Sequence, residues 1–157
     1  MASEVFPFEL LVEEAYEEAK KYQPVRASRL TYENGAFPLV LTGDRTALRY
    51  AFTEVFINAL QANPADAKIG VRTHTSNTSP EGAEIKIEVE DNGAGFPAEV
   101  IERAVEPFYT KRNVGLGLGL TVSRKIIETH RGSLSLSNAP DSHAGLVRIS
   151  LPGASKA

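Results

Sequence analysis

Glu54, Asn58 and Gln61 fall at i, i+4 and i+7. At roughly 100° per residue they share one side of a helix, opposite Phe52, Val55, Phe56 and Ala59. A carboxylate and a carboxamide one turn apart can share a magnesium ion and its waters. The carboxylate can instead take a proton from an incoming nucleophile, or the stripe can simply face solvent. Asp91-Asn92-Gly93-Ala94-Gly95 follows an alternating apolar run and offers an acceptor at the base of a pocket. Its glycines let backbone approach a ligand closely. An exocyclic amine such as that of adenine suits a buried carboxylate; a plain glycine turn ending a strand is the other reading.

Two further groups lie C-terminal to these. Gly115-Leu116-Gly117-Leu118-Gly119-Leu120 runs into a helix expected to begin near Thr121. Alternate glycines before a helix N-terminus expose backbone N–H groups with the helix dipole behind them, which suits a polyphosphate, although a hinge has the same composition. No Gly-Lys-Ser/Thr follows, so this is not a P-loop, and no strand leads directly into it as a dinucleotide fingerprint requires. Glu106-Pro107-Phe108-Tyr109-Thr110-Lys111-Arg112 reads as a lid or as a surface loop with one anchoring Phe. As a lid, its aromatics would pack down and Lys111 or Arg112 would meet phosphate oxygens.

The elements that must position these groups follow from periodicity. Phe8, Leu11, Val12, Ala15, Ala19 and Tyr22 mark one face of a first helix that stops before Pro24. Residues 29–32 and 37–41 read as short strands around the turn Asn34-Gly35. Asp44 is a candidate N-cap for the helix carrying Glu54 and Asn58, which ends at Asn63-Pro64. Ile69 and Val71 suggest a strand, 76–82 a polar loop, and Ile85, Ile87 and Val89 an alternating strand antiparallel to the first. Residues 121–130 are helical with Val122, Ile126 and Ile127 inward, and 134–136 and 147–151 close the domain as strands. Residues 1–153 read as one domain and 154–157 as a tail.

Composition narrows the class. A chain of 157 residues fits one domain that buries roughly 68–70% of its unfolded surface. The absence of cysteine argues against a disulfide-built secreted module and excludes thiolate zinc sites. No segment reads as a signal peptide or membrane span, and a net charge of −3 gives no electrostatic case for nucleic acid. A cytoplasmic α/β domain is the expectation.

In order and spacing, Glu-x-x-x-Asn-Ala on a helix, Asp-x-Gly-x-Gly after a strand, Glu-Pro-Phe-Tyr-Thr-Lys, and Gly-x-Gly-Leu-Gly-Leu opening a helix resemble the four boxes of the histidine protein kinase catalytic domain. That domain belongs to the wider ATPase group of gyrase, mismatch-repair and chaperone ATPases. The similarity covers nearly the whole chain, including Gly43-Asp44, His130-Arg131-Gly132 and Leu151-Pro152. The nitrogen-regulator branch is nearest, on Asn58-Ala59-Leu60-Gln61-Ala62 and the short lid.

The resemblance implies a two-layer α/β sandwich of the Bergerat type, a mixed sheet of about five strands with three helices on one face. It implies ATP and Mg2+ as ligands, with Asn58 on the metal and Glu54 as general base or orienter. Asp91 would accept from the adenine amine, with Gly93 and Gly95 shaping the pocket. Phe108, Tyr109 and Thr110 would latch the lid, Lys111 or Arg112 would reach the γ-phosphate, and Gly115 to Leu120 would cradle phosphates by backbone, with Thr121 adding a hydroxyl. Gln61, Ala62, Leu116 and Leu146 depart from common family residues, which bears on nucleotide affinity. His74, His130 and His143 lack an acceptor-histidine context, the first and last being placed in polar loops. The phospho-acceptor and dimerisation domain is then expected from a longer parent, which can be membrane-anchored, or in trans. A response regulator is expected downstream, and the isolated domain is expected to be a monomer without membrane contact. A chaperone- or gyrase-type ATPase, an anti-sigma-type serine kinase, and a module that binds nucleotide without transfer are the competing readings.

Overall fold

The computed structural model describes residues 3–33, 39–79, 82–103 and 116–153. The chain opens with β1 (Glu4–Pro7) and α1 (Phe8–Tyr22), then β2 (Ser28–Glu33), β3 (Val40–Gly43) and α2 (Arg45–Gln61). A long pair, β4 (Ala67–Ser79) and β5 (Gly82–Glu90), follows, then α3 (Ala98–Arg103), α4 (Leu116–Thr129), β6 (Ser133–Asn138) and β7 (Gly145–Pro152).

Five strands form one mixed sheet in the order β2-β4-β5-β7-β6, with β2 parallel to β4 and the remaining pairs antiparallel. One face carries Ile69, Val71, Ile85, Ile87, Val89, Val147 and Ile149 into the core. Three helices cover that face: α2 packs between α1 and α4. The architecture is the expected two-layer sandwich. Phe8 meets Phe52 edge-on at 5.4 Å and Tyr16 meets Phe56 edge-on at 6.1 Å, so aromatic pairs join α1 to α2. Each such ring, buried, is worth about 1.5–3 kcal/mol relative to exposure. The other face is polar. Arg72 reaches Glu88 and Glu90, and Arg148 reaches Glu88 at 3.1 Å.

Several expectations need correction. The strands at 29–32 and 37–41 do not form a hairpin: β2 joins the main sheet, whereas β3 pairs antiparallel with β1 in a separate two-stranded ribbon. The turn Asn34-Gly35 lies outside the described residues. The proposed polar loop 76–82 is largely strand, because backbone pairing between β4 and β5 continues past a register irregularity at Ser76/Ser79. His74 therefore sits in β4 opposite Lys86, not in a loop; His143 does lie in the turn between β6 and β7. The last helix begins at Leu116, five residues before Thr121, so the alternating glycines at 117 and 119 are helical backbone. Val122 and Ile126 are half-buried, and Leu120, Ser123 and Ile127 form the fully buried side of α4.

Candidate functional site

The site is built on α2. Asp44 caps it as expected, its carboxylate accepting the N–H of Ala47 at 3.1 Å. Along the helix Asn58 is only 8% exposed, Glu54 is half-buried and Gln61 is exposed. The polar stripe is therefore not an ordinary wet face. Asn58 falls about 20° from Ala51 around the helix axis, and the Ala51 carbonyl accepts the buried Ser123 hydroxyl of α4 at 2.9 Å. Asn58 and Glu54 thus line the α4 side of α2.

At the end of β5, Asp91 is 8% exposed. Its Oδ1 accepts the N–H groups of Gly93 at 2.8 Å and Gly145 at 3.0 Å, and its own N–H donates to the Gly145 carbonyl at 3.0 Å. Burial pushes the carboxyl above the usual carboxylate range, the two backbone donors pull the other way, and Glu90 adds a smaller upward push. Both donors use Oδ1. Gly145 packs tightly against this side chain: a Cβ there would lie 2.6 Å from Oδ2 and 3.1 Å from the Phe96 ring. A carboxylate with one oxygen anchored by backbone and lone pairs left on the other suits a ligand amine.

The glycines of this turn serve packing of the chain on itself. A Cβ at Gly93 would fall 2.6 Å from the Ala62 side chain, so the turn rests directly on the C-terminal end of α2. Gly95 has φ +91°, and a Cβ there would meet the His143 carbonyl at 2.3 Å. Three asparagines fasten the arrangement. Asn92 accepts from Lys68 N–H at 3.0 Å and donates to the Asp66 carbonyl at 2.9 Å. Asn63 donates to the Asn92 carbonyl at 3.4 Å. Asn138 at the end of β6 accepts from Phe96 N–H at 2.7 Å and donates to the Phe96 carbonyl at 3.0 Å. None of these three was singled out from sequence as a site residue, and only their concentration in loop-forming segments could have marked them.

Asp91, Gly93 and Gly95 share one turn, which meets α2 where Gly93 fits against Ala62, one helical turn beyond Asn58 and two beyond Glu54. Gln61, next to Ala62, is exposed. Leu146 is buried and pairs in register with Glu90, next to Asp91. Leu116, Gly117, Leu118, Gly119 and Leu120 form the first turns of α4, whose leading N–H groups have no partner within the helix. Thr121 lies inside that helix, not at its cap, and is half-buried. Phe108, Tyr109, Thr110, Lys111, Arg112 and Gly115 lie outside the described residues. Among the described residues no group of three or more His, Asp or Glu could hold a metal. A single amide with a neighbouring carboxylate fits magnesium, which keeps much of its water shell and is held largely by substrate phosphates.

Residues 43–155 match the family described as histidine kinase-, DNA gyrase B-, and HSP90-like ATPases. The chain belongs to this family. Nitrogen regulation protein NtrY of Azorhizobium caulinodans is 35% identical over 111 residues, 69% of this chain and 14% of that protein. The sensory histidine kinase/phosphatase NtrB of Rhodobacter capsulatus is 36% identical over 122 residues, covering 73% and 34%. Sporulation kinase B of Bacillus subtilis is 32% identical over 150 residues, covering 95% and 33%. The chain thus spans about a third or less of the length of these curated relatives. Among solved structures, the catalytic domain of histidine kinase ThkA superposes with a TM-score of 0.77 at 25% identity, covering 98% of this chain and 97% of that one. A mycobacterial sensor histidine kinase, MprB, shares the fold with a TM-score of 0.76 at 22% identity, covering 99% and 100%. Within this ATPase family the nucleotide is ATP. Among the described residues, no helix is long and apolar enough to cross a membrane.

Proposed function

We propose that this chain is the catalytic domain of a two-component sensor histidine kinase, which passes the γ-phosphate of Mg-ATP to a histidine on a separate acceptor and dimerisation domain. The observation that carries the reading is the buried Asp91 carboxylate, held by Gly93 and Gly145 through Oδ1 so that Oδ2 keeps its lone pairs, in a turn braced on the helix that bears Glu54 and Asn58.

Asp91 accepts the adenine amine, and Gly93 and Gly95 hold the pocket wall. Asn58 would hold a magnesium ion, which would supply positive charge to phosphate oxygens. The backbone of Gly115 to Leu120 cradles phosphate oxygens, Phe108 to Thr110 latch the lid, and Lys111 or Arg112 meets the γ-phosphate. Gln61 contributes a neutral contact at the rim, and Thr121 a hydroxyl from within α4. In transfer, an imidazole nitrogen lone pair bonds to the γ-phosphorus as the bond to the β–γ bridging oxygen breaks and ADP leaves with those electrons. A neutral imidazole needs no deprotonation to attack, so Glu54 fixes its tautomer and orientation and takes the remaining ring proton afterwards. Residues 1–153 constitute the domain and 154–157 a tail. The partners are an acceptor helix pair, in the same parent or in trans, and a response regulator; the setting is the cytoplasm, and the isolated domain is a monomer.

Calorimetric titration with ATP and a non-hydrolysable analogue, with and without magnesium, tests the reading. Metal-dependent binding that weakens in Asn58→Ala and is lost in Asp91→Asn supports it. Absence of binding at millimolar nucleotide overturns it.

A further inference from the structure

The face of the sheet away from the helices carries a groove of about 310 Å³, lined by Arg29 and Thr31 of β2, Lys68, Gly70 and Arg72 of β4, and Glu90 of β5. Side chains alternate along a strand, so Glu90 belongs to this face and the buried Asp91 to the helix face. Gly70 forms the floor, and the fold does not ask for glycine there. A Cβ at Gly43, Gly93, Gly95 or Gly145 would come within 2.6 Å of a neighbouring atom, whereas at Gly70 the nearest would be Thr31 Oγ1 at 3.5 Å, an ordinary contact. Nor does Gly70 have the positive φ that Gly95 shows. Glycine inside a strand costs about 0.5–1 kcal/mol. Where no packing explains it, it marks a place that another molecule approaches closely.

The charges around this floor are unbalanced. Register sets Arg29 beside Lys68 on adjacent strands, with backbones roughly 4.8 Å apart, and like charges so placed repel. Among the described residues Arg29 has no ion-pair partner, and Lys68 reaches only Asp66, at 3.9 Å. Arg72 is already held by Glu88 and Glu90, and the other oxygen of Glu90 accepts the Ser142 hydroxyl at 3.2 Å. Glu33 stands in register with Arg72, at the end away from Lys68. Two cations therefore remain poorly compensated, beside a hydroxyl and above bare backbone.

We infer that this groove binds a phosphate group, free or as a monoester, on the side of the sheet opposite the nucleotide. Arg29 and Lys68 match the two charges of the dianion, and the Thr31 hydroxyl donates to a further oxygen above Gly70. A guanidinium fork, an ammonium and a hydroxyl converging on one point suit a tetrahedral oxyanion better than a planar carboxylate. The groove extends beyond a phosphate and has room for the group it esterifies.

Titration of the labelled chain with sodium phosphate at constant ionic strength, followed by amide NMR, tests this. Saturable shifts are expected at Gly70 and Thr31. Affinity is expected to fall about tenfold in Arg29→Ala and in Lys68→Ala, each of which removes one charge-assisted contact. Gly70→Val is expected to raise the urea midpoint, because a β-branched residue suits a strand better than glycine, and yet to abolish the shift at Thr31 by filling the floor. Phenyl phosphate separates the sources: tighter binding than free phosphate assigns the groove to an ester, weaker binding to the ion itself. Absence of saturable shifts at Gly70 and Thr31, acetate binding as tightly as phosphate, or undiminished binding in Gly70→Val overturns the inference. A lower urea midpoint in Gly70→Val overturns it as well, since the glycine would then serve the fold.

Discussion

His130 Nε2 accepts the backbone N–H of Asp44 at 3.0 Å, while Nδ1 donates to the Ile126 carbonyl at 2.8 Å. One neutral ring thereby fastens the end of α4 to the N-cap of α2, the helix that carries Glu54 and Asn58. Gly43 is shaped to this ring: a Cβ there would lie 2.6 Å from Cδ2 and 2.8 Å from Nε2. Because both nitrogens are bonded, the ring has no cheap way to retreat. Gly43→Ala is expected to cost about 1–3 kcal/mol by overpacking. His130→Phe is expected to cost about 1–3 kcal/mol by leaving the Asp44 N–H without its acceptor. Urea denaturation checks both, as a lower midpoint with unchanged slope.

Asp91→Asn separates binding from folding. The amide oxygen can still accept from Gly93 and Gly145, so the turn keeps its anchor. The carboxyl pKa is raised in the folded state by burial. Its contribution to stability is therefore fully present below the ordinary carboxylate range and is lost as pH rises through the folded value. The variant is expected to be as stable as wild type or more so at neutral pH, and to lack that pH-dependent loss, while ATP binding disappears. Denaturation at a series of pH values, beside calorimetry, measures the two effects separately. Parallel loss of stability and binding would assign the carboxylate a purely structural role.

Gly145→Ala tests the close packing of Gly145 on Asp91 Oδ2. The added methyl would stand 2.6 Å from that oxygen, so the carboxylate proposed to take the nucleotide amine would be forced to shift. A loss of at least about tenfold in ATP affinity is expected, equivalent to roughly 1.4 kcal/mol, with a modest fall in stability. Unchanged affinity would place the base elsewhere.

Asn138→Ala removes both bonds to the Phe96 backbone. The expected cost is about 1–3 kcal/mol, the penalty for stranding a buried donor. Amide exchange at Phe96 is expected to speed up while exchange in α1 and α2 changes only through global stability.

The legible parts of the fold are those with local periodicity. α1 and α2 announce themselves through spaced apolar residues, Asp44 as a cap, and β5 and β7 through alternation. β1 and β3 are different: the pairing of Phe6 with Leu41 joins segments far apart in sequence, so no local pattern reports it. The far end of β4 is not legible, since a run of Thr, His, Ser and Asn lacks an apolar face, yet Thr73 is buried and pairing with β5 carries the ladder onward. The start of α4 is hidden because glycine disfavours helix interiors by about 1 kcal/mol, so Gly117 and Gly119 read as loop. Of the candidate site, Asp91 and Asn58 were visible from residue type and spacing. The clamps at Asn63, Asn92 and Asn138 were not, since side-chain bonds to backbone leave no period.

The uncovered face of the sheet bears Arg72, Glu88, Glu90 and Arg148 as one ion-paired lattice. Any body pressed against it would have to strip water from those charges, at a cost that their mutual attraction does not return. Adhesion is thus discouraged over this part of the sheet. For a domain that, as proposed above, meets an acceptor helix pair and withdraws again, such a surface favours release.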